Sequence, residues 1–232
     1  MDEHLGERLV LDVPLGAFSL RFNLMTMIAT WVVIVVLVIL ALALRRGLRQ
    51  PIEEKPSRVQ AVVDAVVGLL EGQLGAGFSS QSLARQLLPF IGTLFLFVLF
   101  MNWISVVPYL GGAPTEDLNV PISLGVMVLV MSHVVASRVH GVGGHVRGLL
   151  KPFAFLFPLH LMGELGRTTS HSFRLFGNLF GGGILIAVFT TALIPLVVPV
   201  ALNLFFGLFA GLIQAFVFAM LAVIYINNTV NE

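Results

Sequence analysis

The chain of 232 residues is 57% hydrophobic and only 11% charged, and its formal net charge is +1 at pH 7. Soluble domains carry about a quarter charged residues, so this composition excludes an ordinary soluble domain and predicts an integral membrane protein in contact with lipid. The sequence has no basic block, which excludes nucleic acid as a predicted partner, and no cysteine, which excludes disulfide bonds and thiolate metal sites.

The first third of the chain contains one predicted span and one predicted interfacial helix. The opening MDEHLGERLVLDVP lacks the basic start of a cleaved signal peptide, so we expect the apolar segment after it to be retained. Residues 25–44 are long enough to cross a bilayer, which takes about 20 apolar residues. Residues 57–74 place Arg58, Asp64 and Glu71 among valines and leucines spaced three or four apart. That pattern is typical of an amphipathic helix in the membrane interface.

The later apolar segments predict four more crossings. Residues 88–110 and 120–137 each form one span, and a polar linker, RVHGVGGHVRGLLK, follows the second. The prolines of IPLVVP break the apolar sequence after the linker, which predicts two long helices, over 153–190 and 195–228, joined by a tight turn. The expected fold class is an all-α integral membrane protein. It forms a single membrane domain over 1–232, with about five crossings and one interfacial helix.

Loop charges predict the orientation of these spans. Basic residues concentrate at one end, and they are Arg45, Arg46, Arg49, Lys55, Arg58, Arg85, Arg138, Arg147 and Lys151. Acidic residues concentrate at the other end, in the N-terminal stretch and in the loop GGAPTEDLNVP. The positive-inside rule then places the N-terminus outside and the C-terminus in the cytoplasm. The sequence shows no internal repeat, so it does not favour an inverted-repeat transporter.

Polar residues recur at steps of three or four along the predicted helix over 153–190. On a helix they share one face about 100° wide, which we call the polar stripe. The polar stripe consists of Glu164, Arg167, His171, Arg174, Asn178 and Gly181. A charge at the bilayer centre costs about 2.5–3.5 kcal/mol on insertion scales, and such groups often mark ion pathways. Gly177, Gly181 and Gly182 leave room for another helix to approach this face.

The last predicted helix carries a second polar face. Its members are Asn203, Gly207, Gly211, Gln214, Phe218 and Tyr225. The amide of Gln214 can bridge donors and acceptors without carrying a charge. Gly207 and Gly211 follow the small-xxx-small spacing that is common where membrane helices pack together. The two polar faces either meet each other or both face a third partner.

Some of these residues have purely structural alternatives. Arg174 could pair with Glu164, but ten residues of helix separate the two by about 15 Å, which is too far for direct contact. Asp117 and Asn119 in PTEDLN form an Asx-type turn or line an ion entry, and the turn is the favoured interpretation.

The histidines outside the polar stripe do not form a metal-ligand pattern. His133 and His160 lie among apolar residues, and we expect them to be hydrogen-bonded packing residues. His140 and His145 belong to the polar linker and are expected to be solvated. We therefore predict neither a metal site nor a cofactor.

RLFGN at 174–178, followed about forty residues later by LIQAFVF, resembles the a subunit of F-type ATP synthases. PTEDLN is similar to the PTxDLN loop of that family, and ELGRTTSHSFRLFGNLFGGG is similar to its EExSRPxSLSLRLFGNMxAG pattern. The matched order covers about residues 20–229, and RLFGN with QAFVF at this separation is a specific signal. The resemblance implies three upright helices, an interfacial helix, and a long tilted hairpin formed by the last two helices against a rotating c ring.

The resemblance also implies roles for individual residues. Arg174 matches the family's essential arginine, which couples translocation of H⁺, or alternatively Na⁺, to rotation of the c ring. Asn178 and Gln214 match the asparagine of LFGN and the glutamine of QAF. The remaining candidates for half-channel or supporting polar groups are Glu164, Arg167, Ser170, His171, Asn203, Asp117 and Asn119.

The same resemblance implies partners and a location. The expected partners are the c ring, b-type peripheral stalk subunits and the remainder of the ATP synthase, in a bacterial inner membrane. Such a subunit performs no ATP chemistry, and no phosphate loop of the GxxxxGKS kind occurs in the sequence.

This sequence departs from the family pattern at four positions. Thr168 stands where proline is usual, and His171 stands where an aliphatic residue is more frequent. Gly183 and Gly207 stand where the family often has ionisable residues, so other groups must line the outside half-channel.

The competing hypotheses are a secondary transporter or standalone channel with an intramembrane arginine site, and a membrane scaffold without transport.

Overall fold

A short antiparallel hairpin precedes the helices. The structure, a computed structural model, describes residues 10–15, 18–47, 58–78, 80–106, 113–149, 153, 155, 157–192 and 197–231. Strands β1 (Val10–Leu15) and β2 (Phe18–Asn23) pair with Val10 opposite Asn23 and Leu15 opposite Phe18. The all-α class expected from the sequence contains no strand. The segment FSLRFN alternates apolar and polar residues, however, and this period of two is typical of a strand.

Helices make up nearly all of the rest of the described chain. They are α1 (Leu24–Gly47), α2 (Arg58–Gly77), α3 (Gln81–Trp103), α4 (Asn119–His140), α5 (Val142–Leu149), α6 (Phe157–Ala192), α7 (Val197–Asn203) and α8 (Gly211–Asn231). Short 3₁₀ turns occupy Ile104–Val106 and Pro114–Glu116, and a π-helical segment, Leu204–Ala210, joins α7 to α8.

Five helical segments in the described part are long and apolar enough to cross a membrane. They are Leu24–Arg45, Gln81–Val106, Asn119–His140, Phe157–Phe189 and Val200–Asn231. The fold class predicted from composition, an all-α integral membrane protein, is therefore confirmed. Helix α2 is outside this set and has one exposed face, although its Leu70 and Leu74 are buried in the core.

The core is a bundle of α3, α4 and α8. Helix α8 packs against both neighbours through small buried residues, among them Ala215, Ala219 and Ala222. Small side chains let helix backbones approach closely in a membrane, where dispersion contacts rather than water exclusion drive association. Helix α1 lies at the edge, and among its residues with described side chains only Ala29 and Val33 are buried, against α3.

Helix α6 lies beside this bundle and is longer than a bilayer requires. Its 36 residues extend about 54 Å at 1.5 Å per residue, against a hydrocarbon core of about 30 Å. It contacts α4, α8 and the π-helical segment. It approaches α4 closely at Gly125, where a Cβ atom would lie 2.4 Å from Oγ of Ser172.

The linker after α4 is not the irregular loop that the sequence predicted. It contains α5, a helix of eight residues, within the glycine-rich segment that follows Gly141. Gly141 has a positive φ of 74°, a conformation that glycine adopts without steric cost, and it ends α4 so that α5 can turn back. Glycine has a low helix propensity, so we attribute the formation of α5 to a tertiary contact, in which Nε2 of its His145 lies 3.0 Å from Nδ1 of His133 in α4.

Candidate functional site

The structure divides the polar stripe between two environments. Glu164 and His171 are buried, with 5% and 1% of their surfaces exposed, whereas Arg174 is exposed. Sharing one helix face does not give these residues one environment, because a face 100° wide includes the edge where buried surface becomes exposed. The buried line continues through Leu175 and Leu179.

Arg174 lies on the outer side of α6 next to Ser170 and Gly177, which are also exposed. Within the described residues its guanidinium has no carboxylate within ion-pairing distance. A Cβ atom built at Gly177 or Gly181 would meet nothing within 4 Å, so the surface beside Arg174 is open. These two glycines, predicted to pack against a helix, contact no such helix in the described chain.

Gly182, Gly207 and Gly211 lie at close contacts instead. A Cβ atom at Gly182 would be 2.8 Å from Cγ of Phe206 in the π-helical segment. One at Gly211 would lie 3.0 Å from Cβ of Asn102 in α3. Gly182 lets α6 approach the π-helical segment closely, and Gly211 lets α3 approach the start of α8.

His171 joins α6 to α8. Its Nε2–H donates to the backbone oxygen of Phe218 at 3.1 Å, and its ring stacks on the Phe218 ring with centroids 3.7 Å apart. The Tyr225 ring meets His171 edge-on at 5.4 Å. The polar faces predicted on the two helices therefore meet here. Nδ1 of His171 and Nε2 of Gln214 are both buried without a hydrogen-bond partner.

A buried polar cluster connects α3 with the start of α8. Asn102, which is fully buried, donates through Nδ2 to the backbone oxygen of Gly211 at 3.1 Å and accepts from Oγ1 of Thr115 at 3.0 Å. Trp103 donates through Nε1 to the backbone oxygen of Leu208 at 3.2 Å. π-Helical turns inside α-helices are frequent at functional sites. The sequence analysis missed Asn102, because a single amide in an apolar span has no periodic signal.

Asn203 and Gly207 lie beside the 3₁₀ turn after α3. A Cβ atom at Gly207 would lie 2.6 Å from Cγ2 of Val106, 2.9 Å from Oγ of Ser105 and 3.4 Å from Oδ1 of Asn203. Nδ2 of Asn203 is 3.4 Å from the backbone oxygen of Ser105. One apolar side chain and two uncharged polar side chains thus surround Gly207, where the resemblance implied that an ionisable residue is common.

Asp117 and Asn119 lie near the N-terminal end of α4, at a cavity. The backbone N–H of Asn119 donates to Oδ1 of Asp117 at 3.1 Å, which is an Asx turn, and Oγ1 of Thr26 donates to Oδ2 at 3.3 Å. Both residues also line a cavity of about 620 Å³ between α1, α3 and α4. The structural and the ion-entry alternatives are therefore compatible.

Glu164 is part of a chain of side chains that sequence reasoning did not find. Oε2 of Glu164 lies 3.1 Å from Nε2 of His133, and Nδ1 of His133 lies 3.0 Å from Nε2 of His145. The expectation that His145 is solvated is wrong, because α5 brings it against α4. The expectation that His133 is hydrogen-bonded holds, but its partners come from two other helices. His140 binds the backbone oxygen of Val230 rather than solvent alone, at 2.6 Å.

Two further residues predicted for the site, Arg167 and Asn178, also lie on α6. Arg167 is half-buried and lines a small cavity together with Glu164 and Tyr225, and Asn178 is half-buried on α6. In the described part of the chain, no three histidine or acidic residues are arranged to hold a metal ion.

Fold and site together define a polytopic α-helical membrane protein with an exposed arginine in a membrane-spanning helix. The family model "ATP synthase A chain" matches residues 25–227, and the chain belongs to that family.

Individual relatives agree with this assignment. "ATP synthase subunit a 2" of a Picosynechococcus species is 40% identical over 60% of this chain and 58% of its own length. "ATP synthase subunit a" of Acidothermus cellulolyticus is 34% identical over 62% of this chain and 57% of its own. "ATP synthase subunit a, sodium ion specific" of Propionigenium modestum is 32% identical over 62% of this chain and 54% of its own. The chain thus spans between half and three fifths of the length of these relatives.

Proposed function

We propose that this chain is the ion-translocating a subunit of a rotary F-type ATP synthase. The observation that carries the proposal is the exposure of Arg174 in a membrane-spanning helix without a carboxylate partner in the described chain. An unpaired cation at the bilayer centre costs about 2.5–3.5 kcal/mol or more. An exposed charge with this energetic cost is stabilised if an acidic group of another chain lies next to it. The carboxylates of a c ring are such groups.

Arg174 would act on each ring carboxylate as it passes. The carboxylate crosses lipid neutral, either protonated or with bound Na⁺, and a nearby guanidinium in a low-dielectric setting favours its ionised form. The incoming site therefore releases its ion before it passes Arg174 and reloads on the other side. Arginine is not deprotonated in proteins, so it cannot relay protons, and its charge repels a cation moving directly between the two half-channels. The open surface at Gly177 and Gly181 leaves room for ring helices to pass close by.

Two offset half-channels would supply and remove the ions. The cavity of about 620 Å³ beside Asp117 and Asn119 is the candidate for the outer entrance. Asn203 and Gln214, on the last crossing, are candidates for polar groups along the outer path. Glu164 and Arg167, near the start of α6, belong to the cytoplasmic side if the basic loops face the cytoplasm.

The subunit would perform no ATP chemistry itself. Its partners would be the c ring, b-type peripheral stalk subunits and the remainder of the complex, in a bacterial inner membrane with the N-terminus outside. The transported ion is H⁺, with Na⁺ as the alternative that the sodium-specific relative supports. A secondary transporter would instead work without these partners.

The test is ATP-driven ion uptake by inverted vesicles that carry the whole complex, with H⁺ and Na⁺ followed separately. Arg174→Ala is expected to abolish coupled uptake while the complex still assembles. The matched control is Arg85→Ala, an exposed arginine on α3, which is expected to retain uptake. Wild-type uptake by Arg174→Ala would refute the proposal.

A further inference from the structure

We propose that His145, His133 and Glu164 form a proton-conducting chain between α5, the short helix after α4, and α6, the helix that carries Arg174. The proposal rests on the proposed function and deepens it, because it names the ion and part of its path. The three side chains come from α5, α4 and α6, and consecutive polar atoms lie 3.0 and 3.1 Å apart. No other residue intervenes between them.

The geometry of His133 fits proton transfer, because both of its ring nitrogens are used. A neutral imidazole has one N–H donor and one acceptor nitrogen. In one arrangement His145 donates from Nε2 to Nδ1 of His133, and His133 donates from Nε2 to the Glu164 carboxylate. In the reversed arrangement a protonated Glu164 donates to Nε2 of His133, and Nδ1–H of His133 donates to Nε2 of His145. The same heavy-atom positions serve both arrangements.

Moving between the two arrangements transfers one proton. A proton that binds Nδ1 of His145 lets its Nε2 proton pass to Nδ1 of His133, whose Nε2 proton passes to Oε2 of Glu164. One proton enters at His145 of α5 and one arrives on the carboxyl group, and both rings end neutral. The reverse sequence delivers a proton from Glu164 to His145, so the chain serves transport in either direction.

Burial is greatest at the α6 end of the chain. His145 is half-buried, the His133 side chain is 32% exposed, and the Glu164 side chain is 5% exposed. The second carboxylate oxygen of Glu164, Oε1, is buried without a hydrogen-bond partner. A carboxylate that exchanges protons with His133 through one oxygen needs its second oxygen to exchange protons with the next group along the path.

A small cavity continues from Glu164 into the helix bundle. Its volume of about 10 Å³ is close to the minimum that holds one water molecule. Arg167 of α6 and Tyr225 of α8 line it, and they are the other titratable groups there. Three residues with hydroxyl groups also line the cavity, and they are Ser132, Thr168 and Thr229. This partly polar cavity is the route that the proposal gives to protons beyond Glu164.

A structural role for the same contacts is the alternative, since they also hold α5 against α4. The two roles are separated by His133→Gln. Glutamine keeps a donor and an acceptor for both neighbours, but its amide does not take up and release protons as imidazole does. A structural role therefore survives His133→Gln, whereas proton transfer does not.

The experiment measures ATP-driven acidification of inverted vesicles by the whole complex, together with complex assembly. His133→Gln and His145→Gln are expected to lower the acidification rate at least about a hundredfold, the lower end of what positioned proton-transfer groups contribute. The matched control is His140→Gln, which changes the histidine bound to the Val230 carbonyl outside the chain and is expected to acidify at the wild-type rate.

Assembled His133→Gln complex with a wild-type acidification rate would overturn the proton chain. Transport of Na⁺ but not H⁺ by the wild type would also overturn it, and would leave the proposed function intact. If His133→Gln fails to assemble, the rate of His145→Gln decides in the same way. Failure of the proposed function is distinguishable, since it requires that Arg174→Ala continue to transport ions.

Discussion

The packing of α6 against α4 makes Gly125 a sensitive position. In Gly125→Ala the new Cβ atom would lie 2.4 Å from Oγ of Ser172, 3.1 Å from Cγ2 of Thr168 and 3.3 Å from the Thr168 backbone oxygen. Rotating the Ser172 side chain relieves the first contact but breaks its 3.0 Å hydrogen bond to that same oxygen. The contact with the Thr168 backbone oxygen remains, because that backbone cannot move without moving α6.

The expected loss in free energy of unfolding for Gly125→Ala is about 1–2 kcal/mol. Overpacking costs about 1–3 kcal/mol, and the better helix propensity of alanine offsets up to about 1 kcal/mol. The assay is unfolding in mixed micelles titrated with sodium dodecyl sulfate, followed by far-ultraviolet circular dichroism.

Two further variants serve as controls for this prediction. Gly163→Ala, at an exposed α6 position with nothing within 4 Å, is expected to be neutral or stabilising by up to about 1 kcal/mol. Adding Ser172→Ala to Gly125→Ala removes the 2.4 Å contact, so the double variant is expected to recover part of the loss. The reasoning is refuted if Gly125→Ala is as stable as Gly163→Ala.

Two other substitutions test the contacts of α8 in the same unfolding assay. Asn102→Leu leaves the buried Thr115 hydroxyl without its acceptor, so it is expected to cost about 1–3 kcal/mol, and adding Thr115→Val is expected to reduce that cost. Equal stability of the single and double variants would contradict this. His171→Phe loses a bond to the Phe218 carbonyl, worth about 0.6 kcal/mol in membrane bundles, but also removes a buried unpartnered nitrogen. Its stability is expected to stay within about 1 kcal/mol of wild type, and a loss above about 2 kcal/mol would contradict that.

The all-α membrane class was predictable from the sequence, because the bilayer imposes a length and an apolar composition on each helix that could cross it. The predicted span over 25–44 lies within α1, and the predicted span over 120–137 lies within α4. Helix α5 was missed because GVGGHVRG has the low helix propensity of a glycine-rich loop. Its contact with α4 through His145 is tertiary, and local sequence carries no signal for it.

The candidate site was predictable only to the level of a helix face. Helical periodicity brings Glu164, His171 and Arg174 to one side of α6, but not to one environment. How far α6 is rotated about its axis depends on close contacts with other helices, at Gly125 and at Gly182. Those contacts decide that His171 faces α8 while Arg174 faces outward, and they involve residues far apart in sequence.

The most direct test of the central claim is disulfide crosslinking between α6 and the c ring. The chain contains no cysteine, so a single introduced thiol is unambiguous. Ser170→Cys, at an exposed position one turn before Arg174, is expected to crosslink to a c subunit with a cysteine near its ion-binding carboxylate. Ser172→Cys, at a position only 1% exposed, is expected not to. Crosslinking at 172 but not at 170 would contradict the claim that the face carrying Arg174 meets the ring.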